Sequence, residues 1–175
     1  MLKRAFLGLL ALSLSLVGVQ VLAAAPASAA PRVVYYDASR AGEFATNFAQ
    51  AAQIWNSSVT NVRLQAGSPA TVVIYVDNGW PRAYVTGLGS GRIYMGRQAV
   101  DQGYNRTRIA THEWGHILGL PDNRTGRCSD LMSGSSAPVS CANATPSPAE
   151  AARVNSSSPA APRRSRQGPM SGADG

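Results

Sequence analysis

His112-Glu113-Trp114-Gly115-His116-Ile117-Leu118-Gly119-Leu120-Pro121-Asp122 decides the reading of this chain. On a helix, residues four apart share a face, so the His112 and His116 rings can converge on one metal ion. Glu113 directly follows the first ligand and can reach a water on that metal as general base. Gly119 lets the chain leave the helix sharply, because glycine takes the left-handed conformation at no steric cost. Three residues later Asp122 can swing back as a third ligand. A fourth position stays open for water, which separates a catalytic zinc site from a closed structural one. The two histidines are the only ones in the chain, so the ligand set has no competitor of that type. A helix with two surface histidines beside a glutamate is the plain alternative; it leaves Gly119 and Asp122 unexplained.

The extended motif resembles the metzincin signature, with aspartate in place of the usual third histidine. Within that clan the chain is similar to the snapalysins, small neutral zinc proteases secreted by Streptomyces. The resemblance is carried by Ala51-Ala52-Gln53-Ile54-Trp55-Asn56-Ser57-Ser58-Val59, by Thr111-His112-Glu113 and by Leu118-Gly119-Leu120-Pro121-Asp122. It continues in Cys128-Ser129-Asp130-Leu131-Met132-Ser133-Gly134 and Ser140-Cys141, and runs from about Arg32 to Asn155. It implies a metzincin-like zincin of the α/β (α+β) class. Such a fold has a small twisted mixed sheet of four to five strands, an active-site helix, a packing helix and a short C-terminal helix. It also implies that Leu131-Met132-Ser133-Gly134 is a Met-turn, with Met132 as an apolar floor beneath zinc; a polarisable thioether fills such gaps well.

The ends of the chain read differently from its middle. Residues 1–29 carry basic Lys3 and Arg4, an apolar run from Ala5 to Leu22 and a small-x-small site at Ala27-Ser28-Ala29. This is the pattern of a secretory signal peptide, removed on export. Residues 30–155 are expected to form one catalytic domain. Residues 156–175 are Ser, Pro, Ala, Arg and Gly with almost no apolar side chains. They cannot bury enough surface to offset their ordering entropy, and are expected to be a disordered tail. The formal charge of +7 is divided among leader, tail and a mildly basic domain without an aromatic-interleaved basic stripe. A nucleic-acid partner is not expected, nor a membrane once the leader is gone. The expected state is a monomer, secreted and extracellular.

Export also bears on Cys128 and Cys141, the only cysteines. In an oxidising compartment one pair reads as a disulfide closing the loop after the motif. The chain-entropy model gives such a loop about 3 kcal/mol. A second metal site is the alternative, and no spare histidine supports it. The resemblance implies the same bridge.

Along the domain, Val33-Val34-Tyr35-Tyr36 reads as a strand, and Asp37 or Ser39 can cap the next helix. Phe44, Phe48, Ala51, Ala52 and Trp55 recur at helical spacing, which predicts that helix to be amphipathic and to run over 41–56. Residues 62–64 read as a second strand, and 71–76, nearly all apolar, as a central one. Strand, helix and strand at this spacing suggest a right-handed crossover. The glycine-rich stretch 78–91 reads as a long surface loop, and 91–95 as a further strand. In the metzincins the strand at that position is an edge strand that pairs with extended substrate. The motif helix is predicted over 106–119, capped by Asn105 or Thr107. The resemblance also implies a calcium site near Asn105 and Thr107. Calcium prefers carboxylates, and asparagine stands where an aspartate is expected, so capping is the preferred reading. A short closing helix is predicted over 146–155, with Pro148 in its first turn.

Taken together these features predict a secreted zinc endopeptidase that hydrolyses peptide bonds in extended polypeptides. His112, His116 and Asp122 would hold one zinc, and Glu113 would act as general base toward the zinc-bound water. The resemblance implies a preference for an aromatic residue after the scissile bond. Arg124 could offer positive charge to a developing oxyanion, or be a solvated loop residue. The alternative is a metzincin-fold module that binds zinc or protein with little turnover. Glu113 argues against it, since a binding site needs no base.

Overall fold

The computed structural model describes residues 30–157. The expected leader and residues 158–175 of the expected tail lie outside them. Five strands form one mixed sheet in the order β2-β1-β3-β5-β4. β1 is Arg32–Arg40, β2 Val62–Ala66, β3 Val72–Asp77, β4 Arg82–Gly87 and β5 Ser90–Gly96. The first four in that order run parallel, and β4 joins β5 as an antiparallel hairpin. The apolar run of the third strand predicts a central position, and β3 holds it.

Helix α1, Ala45–Ser58, comes after a 3-10 turn at Gly42–Phe44. It buries Phe48, Ala51, Ala52 and Trp55, the residues whose spacing predicts it. Its start differs from expectation. Asp37 spends its carboxylate on the Ser39 amide at 2.8 Å, inside the long β1, and α1 begins with no side-chain cap. Its last turn runs on to Ser58, whose hydroxyl donates to the Ile54 carbonyl at 2.7 Å.

Helix α2 is the short Arg97–Asp101, and α3 is Arg106–Ile117. α1 and α3 pack together, and the buried Trp55 indole donates to the Thr111 carbonyl of α3 at 2.9 Å. Trp114 of α3 meets Tyr36 of β1 edge-on, with ring centroids 5.2 Å apart. Phe48, Trp55, Ile74, Ile93, Met95, Trp114, Ile117 and Leu118 are all fully buried here. Truncating any one of the larger side chains would leave a cavity costing roughly 2–5 kcal/mol. The core therefore sits directly behind the face of α3 that carries the motif.

Two expectations fail on the sheet. Residues 78–91 are not one long loop; 82–87 are β4, turned into β5 at Leu88 and Gly89, where Gly89 has φ +74. β4 is half-buried at its first two residues and exposed at the other four, so it lacks the alternation that marks a strand in sequence. Consequently β5 is not an edge: it lies between β3 and β4, and β4 is the edge strand on that side. Gly91 explains the close hairpin, since a Cβ there would stand 2.2 Å from the Tyr84 carbonyl oxygen.

Helix α4 is Pro148–Ser157, two residues past the boundary predicted at Asn155. Its start is a capping box. The Ser147 amide donates to Glu150 Oε2 at 2.6 Å, and the Glu150 amide to Ser147 Oγ at 3.4 Å. Its end is tied to the connection between α1 and β2 by Thr60, whose amide donates to Asn155 Oδ1 at 3.0 Å, and Val154 is fully buried.

Candidate active site

α3 is aimed by its ends. Asn105 Oδ1 accepts the Arg108 amide at 2.9 Å, capping the first turn. Thr107 does not cap; its hydroxyl lies between Asn47 Nδ2 at 3.0 Å and Gln50 Oε1 at 3.1 Å. At the other end Gly119 takes φ +93. The Gly119 amide donates to His116 O and the Leu120 amide to Gly115 O, the paired bonds of a Schellman ending. The helix proper thus stops at Ile117, two residues before the predicted end.

That turn does a second job. The Leu120 carbonyl it positions accepts from His116 Nδ1 at 2.8 Å. His112 Nδ1 makes the matching bond to the Leu131 carbonyl at 3.0 Å. With both Nδ1 atoms donating to main-chain carbonyls, both Nε2 atoms are left as lone-pair donors. They lie 3.1 Å apart. Asp122 Oδ1 is 3.3 Å from the first and 3.5 Å from the second. Among the described residues this is the one cluster of at least three His, Cys, Asp or Glu side chains placed to share a cation.

The triangle fits zinc. A tetrahedral ion with bonds near 2.0–2.1 Å holds its ligand atoms about 3.3 Å apart, which is the size of this triangle. The donor set, two neutral imidazoles and one carboxylate, is of the zinc type. Asp122 is held below the usual carboxylate range by its contact with His112 and by the positive charge around it, Arg124 included. His116 is pushed down by burial and by His112. Burial opposes charge on His112 too, but Asp122 and Glu113 outweigh it and raise its pKa.

Glu113 is 3% exposed, and its Oε2 has no hydrogen-bond partner. Burial pushes its carboxyl up to about 7, the range useful for a group that takes and returns protons near neutrality. It lines a cleft of about 540 Å³ together with His112, His116 and Asp122. Arg82, Ala83 and Val85 of the β4 edge form one wall. Trp80 and Tyr104, edge-on at 5.9 Å, also line it.

Beneath the cluster, Leu131–Ser136 form a 3-10 turn with Met132 buried. A Cβ on Gly115, between the two histidines, would stand 2.5 Å from Met132 Sδ. Gly134 has φ +55, and a Cβ there would come within 3.1 Å of His112 Cε1. Both glycines permit close approach to the ligand helix. Cys128 and Cys141 are disulfide-bonded across the base of this loop.

Two residues that the sequence did not single out hold the turn. Glu150 of α4 accepts from the Leu131 amide at 3.2 Å and the Met132 amide at 2.7 Å. Leu131 then offers its carbonyl to His112. Arg108 of α3 donates to the carbonyls of Cys128 at 3.0 Å and Asp130 at 2.8 Å, and also to that of Asn143. The capping-box spacing of Ser147 and Glu150 was the available signal for one of them. Arg108 left none. Arg124, read as either an oxyanion partner or a solvated residue, sits on Asp122: its Nη2 lies 2.8 Å from Oδ2.

The model of the Streptomyces extracellular neutral proteinase (M7) family matches residues 31–159, nearly all of the described chain. The chain belongs to this family. Named relatives agree. The extracellular small neutral protease of Streptomyces sp. (strain C5) is 49% identical over 136 residues, covering 76% of this chain and 59% of that protein. The Streptomyces lividans protein of the same name is 45% identical, covering 76% and 60%. The one from Streptomyces caespitosus is 47% identical over 124 residues, covering 70% and 93%. The chain therefore spans about three-fifths of the length of the first two relatives and nearly all of the third. Among solved structures, the zinc protease high choriolytic enzyme 1 of Oryzias latipes aligns with TM-score 0.41 at 17% identity. That alignment covers 53% of this chain and 46% of that one.

Proposed function

We propose that this chain is a secreted zinc endopeptidase in which His112, His116 and Asp122 hold the metal and Glu113 is the general base. One observation carries the reading. Three zinc-type donor atoms converge in an open cleft, directly beside a buried carboxylate with an unpartnered oxygen. Family membership and the names of the relatives support it, including the extracellular setting.

When bound, zinc would supply Lewis acidity, polarising the scissile carbonyl and making water a better nucleophile. The chain does the rest. The β4 edge offers unpaired main-chain groups to an extended polypeptide, which can add as a strand. Glu113 Oε2 accepts the proton of the attacking water and returns it to the leaving amine. Trp80, Tyr104 and Ile109 line the cleft and give an apolar seat for an aromatic residue after the scissile bond. Met132 and Gly134 fix the floor so that the histidines keep their pose. Calcium is not part of this reading, because Asn105 is engaged in capping and Thr107 with Asn47 and Gln50, and neither is a carboxylate. We take the active form to be a monomer acting on proteins. Among the described residues no helix is long and apolar enough to cross a membrane.

Casein clearing by the secreted protein, with and without a zinc chelator, tests the proposal. Clearing that chelator abolishes and zinc restores is expected. A protein that binds zinc but does not cut casein or any denatured protein would be a binding module instead.

A further inference from the structure

We infer that Arg124 is a positioning residue for the metal site: it holds Asp122 as a one-oxygen ligand and so keeps a coordination position open for chemistry. The inference rests on the zinc reading above. Asp122 divides its two oxygens. Oδ1 faces the paired Nε2 atoms at 3.3 and 3.5 Å. Oδ2 turns the other way, onto Arg124 Nη2 at 2.8 Å. Arg124 Nη1 reaches Ser135 Oγ at 3.4 Å, on the turn that floors the site. The main chain between the two is anchored, since the Asn123 amide donates to the Met132 carbonyl at 2.8 Å.

This division has a chemical consequence. A free carboxylate can clasp a cation with both oxygens. One whose second oxygen accepts a charge-assisted bond from a guanidinium presents only the first. Two histidines and one oxygen leave a tetrahedral ion one vacant place; two histidines and two oxygens would fill it. Arg124 also sets the carboxylate plane before metal arrives, which lowers the ordering cost of binding. Its two shown bonds, to Asp122 and to Ser135, assign it to the carboxylate. The arginine side chain is 59% exposed, so its contribution is screened by salt and its replacement should not disturb the core.

The test is a zinc competition titration on the secreted protein, comparing wild type with Arg124→Ala and Arg124→Lys, alongside thermal melts of the metal-free forms. Partners of metal ligands typically change affinity 10- to 100-fold. Exposure places this one at the lower end, so Arg124→Ala should bind zinc about 10-fold more weakly at low salt. Lysine should recover part of the loss, as a single-point donor. The metal-free melting temperatures should coincide. In cobalt-substituted protein the visible band of Arg124→Ala should weaken as the second oxygen joins the metal; an unchanged band overturns the one-oxygen role. With zinc saturating, kcat should fall while KM holds. Equal or tighter zinc binding by Arg124→Ala overturns the inference, as does a matching drop in metal-free stability or a change confined to KM. Those results would leave the zinc protease standing. A wild type that binds no zinc would remove both.

Discussion

The two halves of the site are held by different physics. The α3 half is fixed by apolar packing: Trp114, Ile117 and Leu118 are fully buried behind the histidines. The loop half, residues 119–143, has few large apolar side chains in the core: Leu120, Leu131 and Met132. It is held instead by Arg108, Glu150, the Cys128–Cys141 bridge and Arg124. Packing is non-directional and spreads over many contacts. A polar clamp depends on each partner, because a buried amide or carbonyl left unsatisfied costs about 1–3 kcal/mol. The helix half should therefore respond to the volume a substitution removes, and the loop half to which polar partner it removes.

Substitutions can break that contrast. The largest expected effect lies on the helix half and is chemical rather than structural. Glu113→Gln should lower kcat by roughly 10²–10⁴-fold, while metal analysis finds the same zinc content as wild type. Loss of metal would reassign Glu113 as a ligand. Next is Asp122, the loop's own contribution to the cluster. Asp122→Ala should weaken zinc by more than about 100-fold, beyond what an outer partner contributes, and Asp122→His should keep a ligand there. An alanine variant that holds zinc like wild type would place the third ligand elsewhere.

Smaller effects probe the clamps. Cys128→Ser with Cys141→Ser should lower stability by about 3 kcal/mol and loosen zinc as well. Thiol titration of the denatured wild type should find no free thiol. Glu150→Gln keeps one acceptor oxygen and turns an amide N–H₂ toward a main-chain donor. Denaturant melts should show a loss of about 2 kcal/mol. Zinc affinity should fall with it, since Leu131 links Glu150 to His112. An unchanged affinity would mean that the clamp and the ligand are uncoupled. The smallest effect is removal of residues 158–175, expected to leave activity and melting temperature unchanged. A cut after Asn155 also removes Ser156 and Ser157, the last two residues of α4, and the two truncations together locate where the domain ends.

The division also explains what the sequence could reveal. The grouping of His112, His116 and Asp122 was readable because a helix ending in a glycine turn fixes their spacing. The core helix α1 was readable because Phe48, Ala51, Ala52 and Trp55 repeat at its period. β4 was not, since a mostly exposed edge strand needs no apolar alternation, and its neighbour β5 reads as the edge in consequence. Glu150 and Arg108 were hidden for another reason. They act on main-chain groups of residues 128–143, and a main-chain amide or carbonyl leaves no mark on residue identity. Arg124 was visible as a charge, but its target depends on which way the Asp122 carboxylate turns.

Both histidines set their tautomers through backbone carbonyls, Leu131 for one and Leu120 for the other. A backbone partner is the same whichever amino acid carries it. Point mutation at Leu120 or Leu131 can move such a partner but cannot replace it with a different chemical group. Asp122 alone among the three has a side chain, that of Arg124, as its outer partner. A side-chain substitution can therefore exchange an outer partner outright only on the carboxylate arm. The imidazole arms are inherited with the fold.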